Sequence, residues 1–167
     1  MTVNFDELLA AASSSAVKLE MRDSYLTGDP GYLAWQEGDV AAAVKCYDDW
    51  AATVRTTVSR GVDMRRVRVV SEPVYAYIHF EYAVTDGVNI LPGEKIRWLP
   101  RHQADMLLPA NDVWIIDGQR LVWLFFDGNG DLAGSSLDDD PGRVAACLSA
   151  FNTAWEAGID HSDYRLS

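Results

Sequence analysis

RRVRVVSEPVYAYIHFEY, residues 65–82, is the stretch whose reading decides the fold. Its first half alternates Arg66 and Arg68 with Val67 and Val69, the two-residue period of a strand with one charged and one apolar face. Ser71-Glu72-Pro73 then breaks the run, and an aromatic-rich segment follows. Pro73 suits a first helical position, where its missing N–H is no loss, and Val74, Tyr77, Ile78 and Tyr82 then share one helix face. A strand alternating through Val74, Ala76, Ile78, Phe80 and Tyr82 fits nearly as well. Helix is preferred because central strands exclude proline.

Upstream, Asn4 can cap a short helix from Phe5 to Ala12 with Asp6 and Glu7 in its first turn, where the helix dipole favours them. From Ala16 to Ser24, Val17, Leu19 and Met21 alternate with Lys18, Glu20 and Arg22, a half-buried strand that leaves Asp23 on the apolar side. Thr27 to Gly31 is a turn by composition, and Tyr32 to Glu37 forms one or two helical turns. Asp39 then caps a long helix to Arg60 with an apolar stripe through Val40, Val44, Tyr47, Ala51, Val54 and Val58, and Gly61 stops it.

Downstream, strands are expected over Glu94–Leu99, Val113–Ile116 and Arg120–Phe126, with a hairpin turn at Asp127-Gly128-Asn129-Gly130 and a shorter strand near Leu132–Ser136. The LVWLFF run is apolar on both faces, so its strand must be covered on both sides. Asp138 to Asp140 and Pro141 open a terminal helix with a stripe of Val144, Leu148, Phe151 and Trp155. The expected architecture is a single α+β domain over residues 1–158. It has a mostly antiparallel sheet of about five strands with the long and C-terminal helices packed on it, and a polar, frayed tail at residues 159–167.

At 167 residues the chain suits one domain, able to bury roughly 70% of its unfolded surface. An apolar content of 49% and six Trp exclude a disordered chain. No apolar run approaches the ~20 residues that cross a bilayer, and the N-terminus lacks a signal-peptide pattern, so a cytoplasmic location is expected. A net charge of −11 repels phosphate backbones, and Arg65, Arg66 and Arg68 form the single dense basic cluster, so nucleic acid is not expected as a partner. Cys46 and Cys147 have no metal-type or redox spacing, and His79, His102 and His161 are scattered, so no metal or cofactor is expected. The DGNGD run at 127–131 opens like a calcium loop but carries Leu132 where such a loop needs glycine, and reads as a plain turn.

Two sets of residues carry the chemistry. Glu20 and Arg22 share one side of their strand, as do Arg66 and Arg68, and Lys95 and Arg97. Were the three strands neighbours with matching faces, these cations would mass into a site for a carboxylate or phosphate. The plainer reading is a solvated sheet face laced with weak ion pairs. The acidic set is Asp23, Glu72 and Glu81: a carboxylate held among aromatics could act as acid or base, although pairing with Arg22 or Arg68 is the commoner fate.

The phrases LEMRDSY (19–25), RRVRVVSEPVYAYIHFEY (65–82), GEKIRWLPR (93–101), NDVWIID (111–117) and FFDGNGDL (125–132) together resemble a family of actinobacterial proteins described as a domain of unknown function. The likeness runs from Phe5 to about Trp155. It implies a regulatory or partner-binding role, as companions of helix-turn-helix regulators, and brings no catalytic residues with it. The family phrases include Arg22, Asp23, Tyr25, Arg68, Glu72, Glu81, Arg97 and Trp98. The expected function is thus non-catalytic binding of an anionic small molecule or a protein partner through Arg22, Arg68 and Arg97, with Tyr25 and Trp98 beside them. The alternative is a small enzyme using Glu72, Asp23 or Glu81 as acid or base and the arginines as an anion clamp. The sequence sets no oligomeric state.

Overall fold

The computed structural model describes residues 3–167. Seven strands form one sheet: β1 (Ser15–Glu20), β2 (Asp63–Val70), β3 (Lys95–Pro100), β4 (Asp112–Ile116), β5 (Arg120–Phe126), β6 (Leu132–Asp138) and β7 (Ile159–Asp160), in the order β6-β5-β4-β1-β2-β3-β7. Six α-helices accompany it: α1 (Phe5–Ala11), α2 (Pro30–Gln36), α3 (Val40–Lys45), α4 (Asp48–Ser59), α5 (Ala76–Thr85) and α6 (Pro141–Ala157).

The mostly antiparallel sheet of about five strands expected from sequence is therefore corrected to a mixed sheet of seven. β1, β2 and β3 run parallel to one another, while β4 to β6 and β7 pair antiparallel. The physical reason lies in the connections. Tight turns join β4 to β5 and β5 to β6, but β1 reaches β2 through α2–α4, and β2 reaches β3 through α5. Such helical crossovers return the chain in the same direction.

Both faces of the sheet are covered, as the LVWLFF run requires. Leu121 lies with Val17, Leu19, Val67, Val69 and Phe151 in a core beneath α6, whereas its neighbour Val122 lies with Leu9, Val54, Met64 and Trp114 beneath α1 and α4. A third cluster, with Tyr32, Ala43, Tyr77 and Phe80, joins α2, α3 and α5.

The expected single helix from Asp39 to Arg60 is two helices, broken at Cys46 and Tyr47. Tyr47 leaves helical geometry and its hydroxyl donates a hydrogen bond to Asp29, the carboxylate that caps α2. The break turns α3 toward the end of α5, where Val44 sits so close to Gly87 that a β-carbon there would come within 2.7 Å of it. Pro73 also departs from expectation. It follows a cis peptide in the loop, and the helix begins three residues later at Ala76. A helix is nonetheless what the segment forms.

The tail expected to fray is docked. β7 pairs with β3, and Tyr164 stacks on Trp98 with ring centroids 5.3 Å apart and planes within 9°. Trp98 Nε1 donates to His161 Nδ1, and Val74 N donates to the Ser167 carbonyl. Both rings of the stack are fully enclosed. Tyr164→Ala should lower unfolding free energy by about 3 kcal/mol, the usual toll of truncating a buried aromatic. Urea unfolding monitored by tryptophan emission measures this, and a loss below about 1 kcal/mol would mean that the tail is not packed in solution.

Candidate functional site

The parallel register places Lys18 beside Arg66 and Glu20 beside Arg68, all on the face away from α6. Glu20 gathers them. Its Oε1 accepts from Lys18 Nζ at 2.8 Å and from Arg66 Nη1, and its Oε2 accepts from Arg68 Nε at 2.8 Å. Arg66 also donates Nε to Glu94 Oε1 at 2.8 Å, and Asn89 Nδ2 donates to Glu94 Oε2 at 2.6 Å. Arg68 Nη1 donates to Thr85 Oγ1 at 2.6 Å. All of these side chains are buried.

Aromatic faces cover part of the remaining surface of the cations. The Arg66 guanidinium lies 5.3 Å from the centre of the Trp114 ring and 5.7 Å from that of Trp50, and Arg68 lies 5.1 Å from Trp98. Weakly hydrated guanidinium planes tolerate this burial where an ammonium would not. After Thr85 the helix widens into a π-turn over Asp86–Ile90, and this turn delivers Asn89 to Glu94.

Above the charged floor is a cavity of about 290 Å³, walled by rings that include Tyr47, Trp50, Tyr77, Phe80 and Trp114. Glu81 enters it from α5 with only 8% of its surface exposed. Its carboxyl accepts no hydrogen bond from the described residues, and the nearest cation, Arg68 Nε, stands 3.7 Å from Oε2. Burial raises the Glu81 pKa to about 8, with the Glu20 charge adding to the rise and Arg68 opposing it. Burial pushes Glu20 up as well, but Arg66, Lys18 and Arg68 outweigh it and hold that carboxyl well below the ordinary range. Two carboxyls on one floor thus differ in protonation at neutral pH: Glu20 is a carboxylate and Glu81 an acid.

Of the residues singled out from sequence, the structure brings Arg68, Tyr25 and Glu81 together at this cavity. The Tyr25 hydroxyl donates a hydrogen bond to Asp112 Oδ2 at 2.7 Å, and Asp112 Oδ1 accepts from Met21 N. Arg22 lies at the same end, over the Phe126 ring and donating to the Ser24 carbonyl. Trp98 is beneath Arg68 and sealed from the cavity by it. Arg97 is elsewhere. It pairs in register with Val67, so it projects on the α6 face, over Trp155 and toward Asp160. Lys95 follows it to that face and meets Asp63.

Asp23 and Glu72 are also outside the cavity. Asp23 accepts from the Ser71 backbone and hydroxyl, each at 2.7 Å, with Arg101 at 3.8 Å, which ties the loop after β1 to the loop after β2. Glu72 accepts from the Tyr164 hydroxyl at 2.8 Å and faces His102. Both serve as loop ties. Sequence reasoning missed Trp50, Trp114, Asn89 and Glu94. The signal for the Trp pair was the Lys18–Arg66 row, which needs ring faces once a parallel register buries it. The DGNGD run is a turn, with Asp127 Oδ1 accepting from Asn129 N and Asp131 N. Gly130, at φ 85°, presses against the Tyr25 backbone, 2.7 Å from where a β-carbon would stand.

The chain belongs to the family described as a domain of unknown function, DUF6879, whose model matches residues 3–166. No curated protein matches the sequence as a relative. Among solved structures it is similar to NucT from Helicobacter pylori, with TM-score 0.56 and 15% identity over 93% of this chain and 87% of that one. It is also similar to TrmBL2, described as an archaeal chromatin protein with a novel mode of DNA binding, at TM-score 0.46 and 17% identity over 92% of this chain. The chain spans 48% of the length of TrmBL2. At these identities the likeness is one of fold. The expectation that nucleic acid is excluded as a partner is withdrawn. Net charge had suggested otherwise only because it averages the whole surface and is blind to how charge is distributed locally.

Two variants probe the floor. Glu20→Gln leaves three buried cations short of their shared anion and should cost about 3–5 kcal/mol, read from chemical denaturation. Glu81 works in the opposite sense. Its folded pKa, about 8, exceeds the ordinary 4.5, so its contribution is complete below about 4.5 and is lost as pH rises through about 8. Wild-type stability should therefore fall between those values, and Glu81→Gln should flatten that limb of the stability–pH curve.

Proposed function

We propose that this protein is a non-catalytic binding module whose ligand, a small flat molecule with a hydrogen-bond-accepting or anionic group, occupies the cavity above Glu20, Arg66 and Arg68. The observation that carries this reading is the wall of aromatic rings around a 290 Å³ space whose floor holds an arginine with a nitrogen to spare. Arg68 uses Nε on Glu20 and Nη1 on Thr85, leaving Nη2 without a partner among the described residues. Stacking surface with a few fixed polar groups is the usual make-up of a small-molecule site, and this volume is at the lower end of their range. Lys18 and Arg66 act as supports: their donors are turned onto Glu20 and Glu94.

The acid–base alternative draws on one observation, the Glu81 carboxyl, which accepts no hydrogen bond from the described residues, stands 3.7 Å from Arg68 Nε and has a raised pKa. Binding is preferred because the other two candidate acids, Asp23 and Glu72, tie loops together away from the cavity. A cytoplasmic location, consistent with the free thiols of Cys46 and Cys147, belongs to the same proposal, as does a regulatory role beside helix-turn-helix proteins.

A fragment panel of flat aromatic carboxylates and heterocycles tests the reading. Compounds that fill the cavity should quench tryptophan emission and raise Tm, following RT ln(1 + [L]/Kd). Trp50→Ala and Arg68→Lys should each weaken the response about tenfold or more, as loss of a stacking face or a planar donor does. A panel with equal responses in wild type and both variants would place the binding elsewhere.

A further inference from the structure

We propose that His161 is an acid-operated latch: the C-terminal segment stays docked on Trp98 only while this imidazole is neutral, and a proton taken up by the ring releases it. The latch is one hydrogen bond. Trp98 Nε1 lies 3.0 Å from His161 Nδ1, and both side chains are buried. An indole nitrogen can only donate, so Nδ1 is the acceptor and holds no hydrogen. The hydrogen of the neutral ring is then on Nε2, which faces Asp86 Oδ1 at 3.5 Å. A second proton has one place to go. On Nδ1 it meets the indole N–H, so the bond is lost and two buried donors confront each other without an acceptor.

The surroundings do little to hold a charged ring in place. Asp86, from the π-turn, attracts it, but that side chain is 76% exposed and its pull is screened by solvent. Arg68, from β2, repels it from behind Trp98. Tyr82 of α5 covers the ring, with centroids 4.8 Å apart, and Glu94, Lys95 and Asp160 line the groove beside it. Burial outweighs Asp86, and Arg68 adds to it, so the pKa of the docked ring lies below the ordinary 6.5. The released segment thus binds the proton more readily than the docked one. Docking is complete above about 6.5 and is lost as pH falls below that value through the folded pKa. His161 N also donates to the Ile96 carbonyl, and Tyr164 stacks on the same Trp98 ring. Turning the imidazole away disturbs the ring on which the segment is seated, and with it the backing of Arg68.

Hydrogen exchange of the full chain, resolved by NMR at about pH 7.5 and about pH 5, tests the latch. Protection of the His161 and Tyr164 amides, which bond to the Ile96 and Asp160 carbonyls, should drop about tenfold or more. A single imidazole of ordinary pKa can drive a change of that size over the interval. Nitrogen-15 shifts of the ring should show the Nε2–H tautomer at the higher pH, and the imidazole should titrate together with the loss of protection. His161→Asn, whose amide oxygen keeps an acceptor near the Nδ1 position and does not titrate, should stay protected at both pH values. His102→Gln should leave the drop in place, which separates the latch from the imidazole that faces Glu72. An Nδ1–H tautomer, unchanged protection in wild type, or an equal drop in His161→Asn would overturn the proposal. Should His161→Asn dock at neither pH, the wild type decides: coincident midpoints for the imidazole and for protection support the latch, and protection lost before the imidazole titrates sinks it.

Discussion

One carboxylate holds this molecule's chemistry in place. Glu20 receives Lys18 from its own strand and Arg66 and Arg68 from the next, so a single buried anion spans the β1–β2 boundary. Its interactions work only in the observed parallel register. A one-residue slip would turn Arg66 and Arg68 onto the α6 face, into the apolar cluster of Val17, Leu19 and Phe151. Buried ion networks seldom add net stability over a well-packed apolar core, but a buried charge stripped of its partner is strongly destabilising, which penalises arrangements that separate them. Here that penalty decides which strand faces carry charge, and hence where a cavity with a polar floor can exist.

The floor is mixed in character because its cations are layered between carboxylates and rings. Arg66 has Glu20 and Glu94 in its plane and Trp50 and Trp114 toward its faces; Arg68 has Glu20 and Thr85 in its plane and Trp98 beneath. Planar guanidinium permits both kinds of contact at once. The same layering couples remote parts of the chain. Trp98 is backed by Tyr164 from the C-terminal segment, so the docked tail supports the arginine that lines the cavity. Tyr25, at the other end, is braced by Asp112 and by the Gly130 turn.

Local patterns were well written in the sequence. The alternation around Arg66 and Arg68, the cap at Asn4, the Pro141-led helix and the doubly apolar strand at Arg120–Phe126 all appear where their periodicity places them. What escaped was non-local. Whether β1 runs with or against β2 depends on the path of the intervening helices, and a period-two pattern is the same in either direction. The site inherited that ambiguity. Arg22, Arg68 and Arg97 look alike in sequence, yet register puts Arg68 on the floor, Arg22 near the Phe126 end and Arg97 on the opposite face with Trp155. Asp23 and Glu72 looked available as acids because nothing local reveals that Ser71 and Tyr164 will claim them. Glu81 was legible, since helical spacing already set it among aromatics.

The widened turn over Asp86–Ile90 makes the cavity sensitive to chain length as well as to composition. An α-helix advances about 100° per residue, and the extra residue accommodated by i→i+5 bonding changes the phase of everything beyond it. Asn89 reaches Glu94 because of that phase, and Glu94 in turn grips Arg66. Loss of one residue between Thr85 and Asn89 would leave every side chain of the floor chemically intact while rotating one of its props out of line. Insertions and deletions within this turn are therefore a route by which related chains could reshape the floor without exchanging any of its charged groups.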